Sequence, residues 1–182
     1  MIEVLALLVV LLSAVVWNYN LLIKNRNQVL AAWSDIDVQL KRRHDLIPQL
    51  VIAVKAYSEH EKATMLAVTE LRSKSEIAKH LPEKARVENE IEAAVLRLAI
   101  VAEAYPDLKA DENFRQLSEN LGEVEEHIQY ACRYYNGSVR IFNTRIQSFP
   151  QIIIAKSFNF QPAEYFEVED QAQRNSPTVE LD

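Results

Sequence analysis

Hydrophobic positions along this chain follow two different rules. Residues 4–17, VLALLVVLLSAVVW, are apolar on every side with Ser13 the one polar interruption, whereas from residue 24 onward apolar positions recur every three or four residues. A helix made from the first stretch has no polar face to turn toward water, so it does not read as the surface helix of a globular core. Between Ile2 and Ile23 the one charge is Glu3, and a membrane-crossing helix needs about 20 predominantly apolar residues. Trp17 and Tyr19 suit the headgroup level, where amphipathic rings settle. A cleaved signal peptide would want a positive start and a small-x-small cleavage site; the chain starts Met-Ile-Glu and no such site follows. The expectation is a transmembrane anchor over 1–23, with residues 2–23 in the lipid bilayer. Lys24 and Arg26 follow it, so the positive-inside rule places a short N-terminus outside and the body in the cytoplasm, single-pass at the cell (inner) membrane.

The second rule yields helical runs. Val29, Trp33, Ile36, Leu40 and Ile47 form the first, and Leu50, Val51, Val54, Tyr57, Met65, Val68 and Leu71 the second. Pro82 suits the first turn of a third helix, where its missing donor costs nothing. That helix carries Val87, Ile91, Val95, Leu98, Ala102 and Tyr105 on one face and closes at Pro106. After a PDLKAD turn, Asp111 is a good N-cap for the fourth run. Its stripe reads Phe114, Leu117, Leu121, Val124, Ile128, Ala131, Tyr135, Val139, Phe142, Ile146 and Phe149, with steps suited to shallow-angle packing. Short connections make neighbours antiparallel, so the expected fold is all-α: the anchor followed by an up-and-down four-helix bundle over 24–166. The polar, acidic tail 167–182 reads as flexible.

One block complicates this pattern. Residues 33–48, WSDIDVQLKRRHDLIP, end in a proline that removes a helix donor and crowds the carbonyl of His44. Either one long helix kinks at 44–48, or it ends there and Asp45 caps a new one. The apolar phase crosses Pro48 unbroken, which favours a kink. A single rod, however, would leave Val29, Trp33, Ile36 and Leu40 without an intrachain partner, because the third helix returns only about 35 Å. Leaving each in water forgoes roughly 1.5–3 kcal/mol. On that ground the expectation is a reversal at Pro48. A chain going up, down, up and down then returns the end of the fourth helix to the bilayer, bringing Arg140, Arg145, Lys156 and the apolar IIIAKSFNF near lipid.

Composition narrows the function classes. Two glycines, Gly122 and Gly137, and six prolines in 182 residues argue against a sheet protein, which needs glycine at hairpins and bulges. The formal charge of −6 gives no support to nucleic-acid binding. One cysteine, Cys132, excludes an internal disulfide and a cysteine-based zinc set, and its place in the fourth stripe reads as a buried thiol. None of the four histidines has a glutamate three residues before it, so the di-iron bundle pattern is missing. Both glycines fall inside the fourth helix rather than in a phosphate-cradling loop. Asp35, Asp37 and Asp45 resemble paired carboxylates, yet Asp37–Lys41 and Lys41–Asp45 are ordinary i,i+4 pairs. No catalytic set, cofactor site, metal site or small-molecule substrate is expected. Arg43 falls on the apolar phase between Leu40 and Ile47 and therefore needs a carboxylate partner; Glu61, on the phase between Tyr57 and Met65, is a candidate.

Several blocks are also similar to a known family. YNLLIKNRNQVLAAWSDIDVQLKRRHDLIPQLV at 19–51, HE at 60–61, AYPDLKADENFRQL at 104–117, YNGSVRIFNTRIQSFP at 135–150 and EYFE at 164–167 resemble, in this order, the signature of the LemA family of bacterial membrane proteins. The resemblance covers roughly residues 1–167. It implies one N-terminal span and a helical bundle, and it implies no reaction. Relatives are implicated in bacterial organelle membranes, and family genes can neighbour a membrane metalloprotease. The matching signature positions are Trp33, Asp37, Arg42, Arg43, Asp45, Pro48, Pro106, Asp107, Phe114, Tyr135, Asn136, Phe149 and Pro150. Most read as bundle corners and caps, with Asn25, Asp37 and Arg43 open as partner contacts. Gly137 departs from the side chain expected there. The functional expectation is a membrane-anchored scaffold that binds a protein partner or forms a homo-oligomer; the alternatives are a lipid-contacting or membrane-shaping protein and a regulator of a neighbouring membrane protease.

Overall fold

The computed structural model describes residues 1–57, 62–78 and 80–166. The regular structure within them is α-helical throughout: α1 (Ile2–Tyr57), α2 (Lys62–Ile77), α3 (Leu81–Glu103), α4 (Pro106–Ala110), α5 (Glu112–Gln147) and α6 (Gln151–Ser157). The all-α class expected from the periodicity is therefore what the chain adopts. The start of α1 is long and apolar enough to cross a membrane, with a mean hydropathy of 2.1 over its most apolar window and none of that window buried. The chain forms two compact units. Among the described residues, one comprises Met1–Arg43 with Leu121–Tyr165, and the other the described part of 44–120 with Phe166.

In the first unit, α1 and the part of α5 from Leu121 onward run antiparallel. Arg43 meets Glu125, Trp33 meets Tyr135 and Asn25 meets Arg145, so rising numbers on one helix match falling numbers on the other in broad order. Leu22, Val29, Ala32, Ile36 and Leu40 are buried on α1, and Leu121, Val124, Ile128, Cys132, Tyr135, Val139, Phe142 and Ile146 on α5. Steps of three, four and seven place each set on one face. Gly122 and Gly137 sit within α5 with open space where a Cβ would stand, so no close helix approach requires either glycine.

The second unit contains an α2–α3 hairpin, antiparallel across a short connection. Met65 and Val68 are buried on α2; Val87, Ile91, Val95, Leu98 and Ala102 are buried on α3; Ile47, Leu50 and Val54 are buried on α1. Asp111 ties the unit at one point. Its Oδ1 accepts the Phe114 N–H at 2.9 Å as the expected N-cap of α5, and its Oδ2 accepts the Tyr57 hydroxyl at 3.1 Å. That hydrogen bond, with the carboxylate's charge, raises the Tyr57 pKa. Ion pairs such as Arg115–Glu112, Arg86–Glu90 and Lys74–Glu70 lie along exposed helix faces and contribute little.

Four expectations are corrected. There is no reversal at Pro48: α1 is continuous through it, and Asp45 is a helix-interior residue whose carbonyl accepts from Gln49 rather than a cap. The stripe at Val29–Leu40 finds its partner in α5, so the geometric objection to a long first helix does not apply. The second run is divided, with α1 ending at Tyr57 and α2 starting at Lys62. The PDLKAD turn is itself a short helix, α4, with Pro106 in its first turn and Leu108 fully buried. Phe149 leaves the stripe: α5 ends at Gln147, and the ring is 79% exposed in the turn before Pro150. The tail 167–182 and Glu61 lie outside the described residues.

Pro48 occupies an interior helix position without an N–H to give to His44. Pro48→Ala should therefore raise the stability of the full-length protein in detergent, by up to about 3 kcal/mol; thermal unfolding followed by circular dichroism checks the sign.

Candidate functional site

Helix periodicity brings a few polar side chains into faces that are otherwise apolar, and each meets a complementary group. On α1 of the first unit, Arg43 is 1% exposed, and its Nη1 donates to both carboxylate oxygens of Glu125 at 2.9 and 3.0 Å. Nearer the apolar stretch, buried Asn25 accepts from Arg145 Nε and Nη1 at 3.1 and 3.2 Å, in the amide orientation that matches acceptor to donors. In the second unit, His44 Nε2 lies 3.0 Å from Glu88 Oε1, and the Ser75 hydroxyl donates to the same oxygen. All three of these side chains are buried. Ser75 and His44 converge on the carboxylate rather than on each other, so this is not the serine–histidine relay of a nucleophile. Among the described residues, no three His, Cys, Asp or Glu converge in a way that would hold a metal ion.

The first unit also has an aromatic end beside the apolar stretch. Tyr19 packs against Phe158 in a tilted contact with ring centres 4.8 Å apart and meets Phe160 edge-on at 6.1 Å. Phe160 in turn touches Phe142 at 6.4 Å and lies under the Arg26 guanidinium at 5.6 Å. The chain reaches this end through α5 and α6 and turns back at Asn159, the left-handed residue at φ 53°. Phe160 N–H bonds to Ala155 O and Asn159 N–H to Lys156 O, the paired bonds of a Schellman cap, for which asparagine is a suitable residue. Beyond it the chain is clamped onto α5. Asn143 exchanges two hydrogen bonds of 2.8 Å with the Ala163 backbone, and the Tyr135 hydroxyl donates to Glu164 O at 2.9 Å. Burial, with the nearby Glu164 charge second, pushes the Tyr135 pKa above the ordinary phenol value. A shallow groove of about 340 Å³ elsewhere on this unit is lined by Asp35, Val38, His127, Tyr130 and Tyr134.

The residues singled out from sequence divide clearly. Arg43, Trp33 and Tyr135 are brought together along the α1–α5 seam, with the Trp33 and Tyr135 rings 5.8 Å apart. Asn136 is half-buried on the same helix, whereas Asp37, Arg42 and Asp45 are exposed; Arg42 donates to Gln39 within its own helix. Pro106 and Asp107 open α4, and Phe149–Pro150 precede α6. The carboxylate seen on Arg43 is Glu125, which the sequence reading passed over. Glu88, Ser75 and Asn143 were also missed. The signal was there for two of them: Glu125 lies between Leu121 and Ile128, and Glu88 between Ala85 and Ile91, both on buried phases where an acid needs a partner.

The model of the LemA family matches residues 32–181. Protein LemA of Metamycoplasma hominis is 26% identical over 163 residues, covering 89% of this chain and 74% of that protein.

Two outcomes follow from the site. Arg43→Met leaves Glu125, itself partly exposed, without its guanidinium and should destabilise the protein by about 2–3 kcal/mol, while Arg43→Met with Glu125→Leu recovers most of the loss; denaturant titration of both variants measures it. For Tyr135, the folded pKa is raised, so its contribution is present below the ordinary value of 10.0 and is lost as pH rises through the folded value. Tyr135→Phe should cost about 1 kcal/mol at neutral pH and flatten the stability loss seen above pH 10.0, read from thermal midpoints across a pH series.

Proposed function

The chain belongs to the LemA family, and from that premise we propose that it is a membrane-anchored helical scaffold whose work is interaction rather than catalysis. One observation carries the reading: the same unbroken helix that presents a bare apolar stretch at its start contributes buried side chains to both packed units. A bare stretch of that length is stable in lipid and costly in water. Residues 2–23 span the bilayer, and Lys24 and Arg26 hold the body on the cytoplasmic side of the inner membrane.

The body binds a protein partner or a second copy of itself. Support comes from aliphatic side chains that packing leaves in solvent. Leu96 and Ile100 on α3 are 61% and 59% exposed and one helical turn apart, so they form a single apolar spot. A lipid-contacting role is the second reading, favoured by the ring contacts that tie Phe158 and Phe160 to Tyr19 at the end of the apolar stretch.

A photo-crosslinker placed at Leu96 of the full-length protein in native membranes tests the scaffold. A discrete crosslinked species, lost with Ile100→Glu and missing when the probe sits at exposed Arg86, is the expected result. Equal labelling at the two positions would remove the proposed contact.

A further inference from the structure

We propose that residues 149–158 form a second membrane contact, an interfacial foot seated in the headgroup layer beside the transmembrane helix and favouring anionic lipid. The proposal rests on the reading that residues 2–23 span the bilayer, and it adds a site to it.

Register places the foot. Asn25 pairs with Arg145, and α5 runs antiparallel to α1, so the chain beyond Arg145 descends toward the apolar stretch. Phe149 thus comes level with residues that precede Asn25. The ring contact of 4.8 Å between Phe158 and Tyr19 fixes the same level from the other end of α6. If about 20 residues from Ile2 fill the hydrocarbon core, Tyr19 lies at its edge. Lys24 then stands roughly 7.5 Å farther along the helix axis, within the headgroup layer.

What the foot exposes fits that layer. Ile154 and Ala155 are buried and hold α6 against its own unit, while Phe149, Ile153 and Phe158 are 79%, 58% and 57% exposed. The cap at Asn159 separates the two rings that follow α6: Phe160 turns under Arg26 and against Phe142, and Phe158 is left largely outside. Three large apolar side chains that packing does not use sit at the level where such groups partition favourably. Lys24 and Lys156 are exposed in the same region, and cations near a bilayer surface favour anionic headgroups. A soluble partner would meet the exposed rings only by coming to the bilayer surface itself, which is why lipid is the occupant.

Nitroxide labels on the full-length protein test this, in a Cys132→Ala background reconstituted into vesicles of phosphatidylcholine and phosphatidylglycerol. Labels at Leu11, Ile153 and Glu126 report the span, the foot and an exposed site on the same unit. The expected result is a ratio of oxygen to nickel-chelate accessibility at position 153 severalfold above that at 126. Lys156→Glu should lower the ratio at 153 in these vesicles and leave it unchanged in phosphatidylcholine alone. A lipid-like value at position 11 with an aqueous value at 153 overturns the foot and leaves the anchor standing. An aqueous value at position 11 overturns the anchor reading and the foot with it. Low access of both reagents at 153 means that protein covers the site, which overturns the assignment to lipid.

Discussion

A helix that does not break transmits position along itself, and within the first unit α1 is such a helix. Its apolar start and its buried stripe lie on one hydrogen-bonded backbone, so the level of the first sets the level of the second. Everything that pairs with α1 in the first unit inherits that register. Burial of Leu22, Val29, Ile36 and Leu40 against an antiparallel α5 supplies the attraction, at roughly 1.5–3 kcal/mol per side chain. Pro48 removes one hydrogen bond from the ladder without ending it, because the side chains on either side share a phase and both are buried.

Attraction between regular stripes does not by itself choose one alignment. A slip of seven residues along the α1–α5 seam would still set apolar against apolar, as in any heptad pattern. The polar pairs make such slips expensive. Moving α5 by a heptad carries Glu125 away from Arg43 and Arg145 away from Asn25, leaving charged or amide groups in apolar surroundings. In the second unit His44, Glu88 and Ser75 impose a like restriction. These groups give the seam its register, and hydrophobic contact gives it most of its strength.

The returning segment after α6 is held on α5 through its backbone groups. Asn143 reads the Ala163 peptide group through both of its amide atoms, and Tyr135 accepts no alternative to the Glu164 carbonyl without losing its buried donor's partner. A short polar stretch of chain is thereby kept on α5. The turn that leads into it stays beside Tyr19, and that placement gives the protein a distinctive aromatic end.

The sequence by itself determined the helical class, the bilayer-length apolar start, the face each long helix buries, the Asp111 cap and the need of Arg43 for an acid. All of these follow from local spacing or from the chemistry of a single side chain. It did not determine that α1 continues past Pro48, because a proline's cost is local while the compensation comes from packing on both sides of it. Nor did it identify Glu125 as a partner for Arg43 or bring Phe158 to Tyr19. Those pairings join residues separated by 82 positions in one case and by most of the chain in the other. Only the antiparallel return of α5 along α1 closes such distances, and a one-dimensional pattern records which face is apolar but not which other face will cover it.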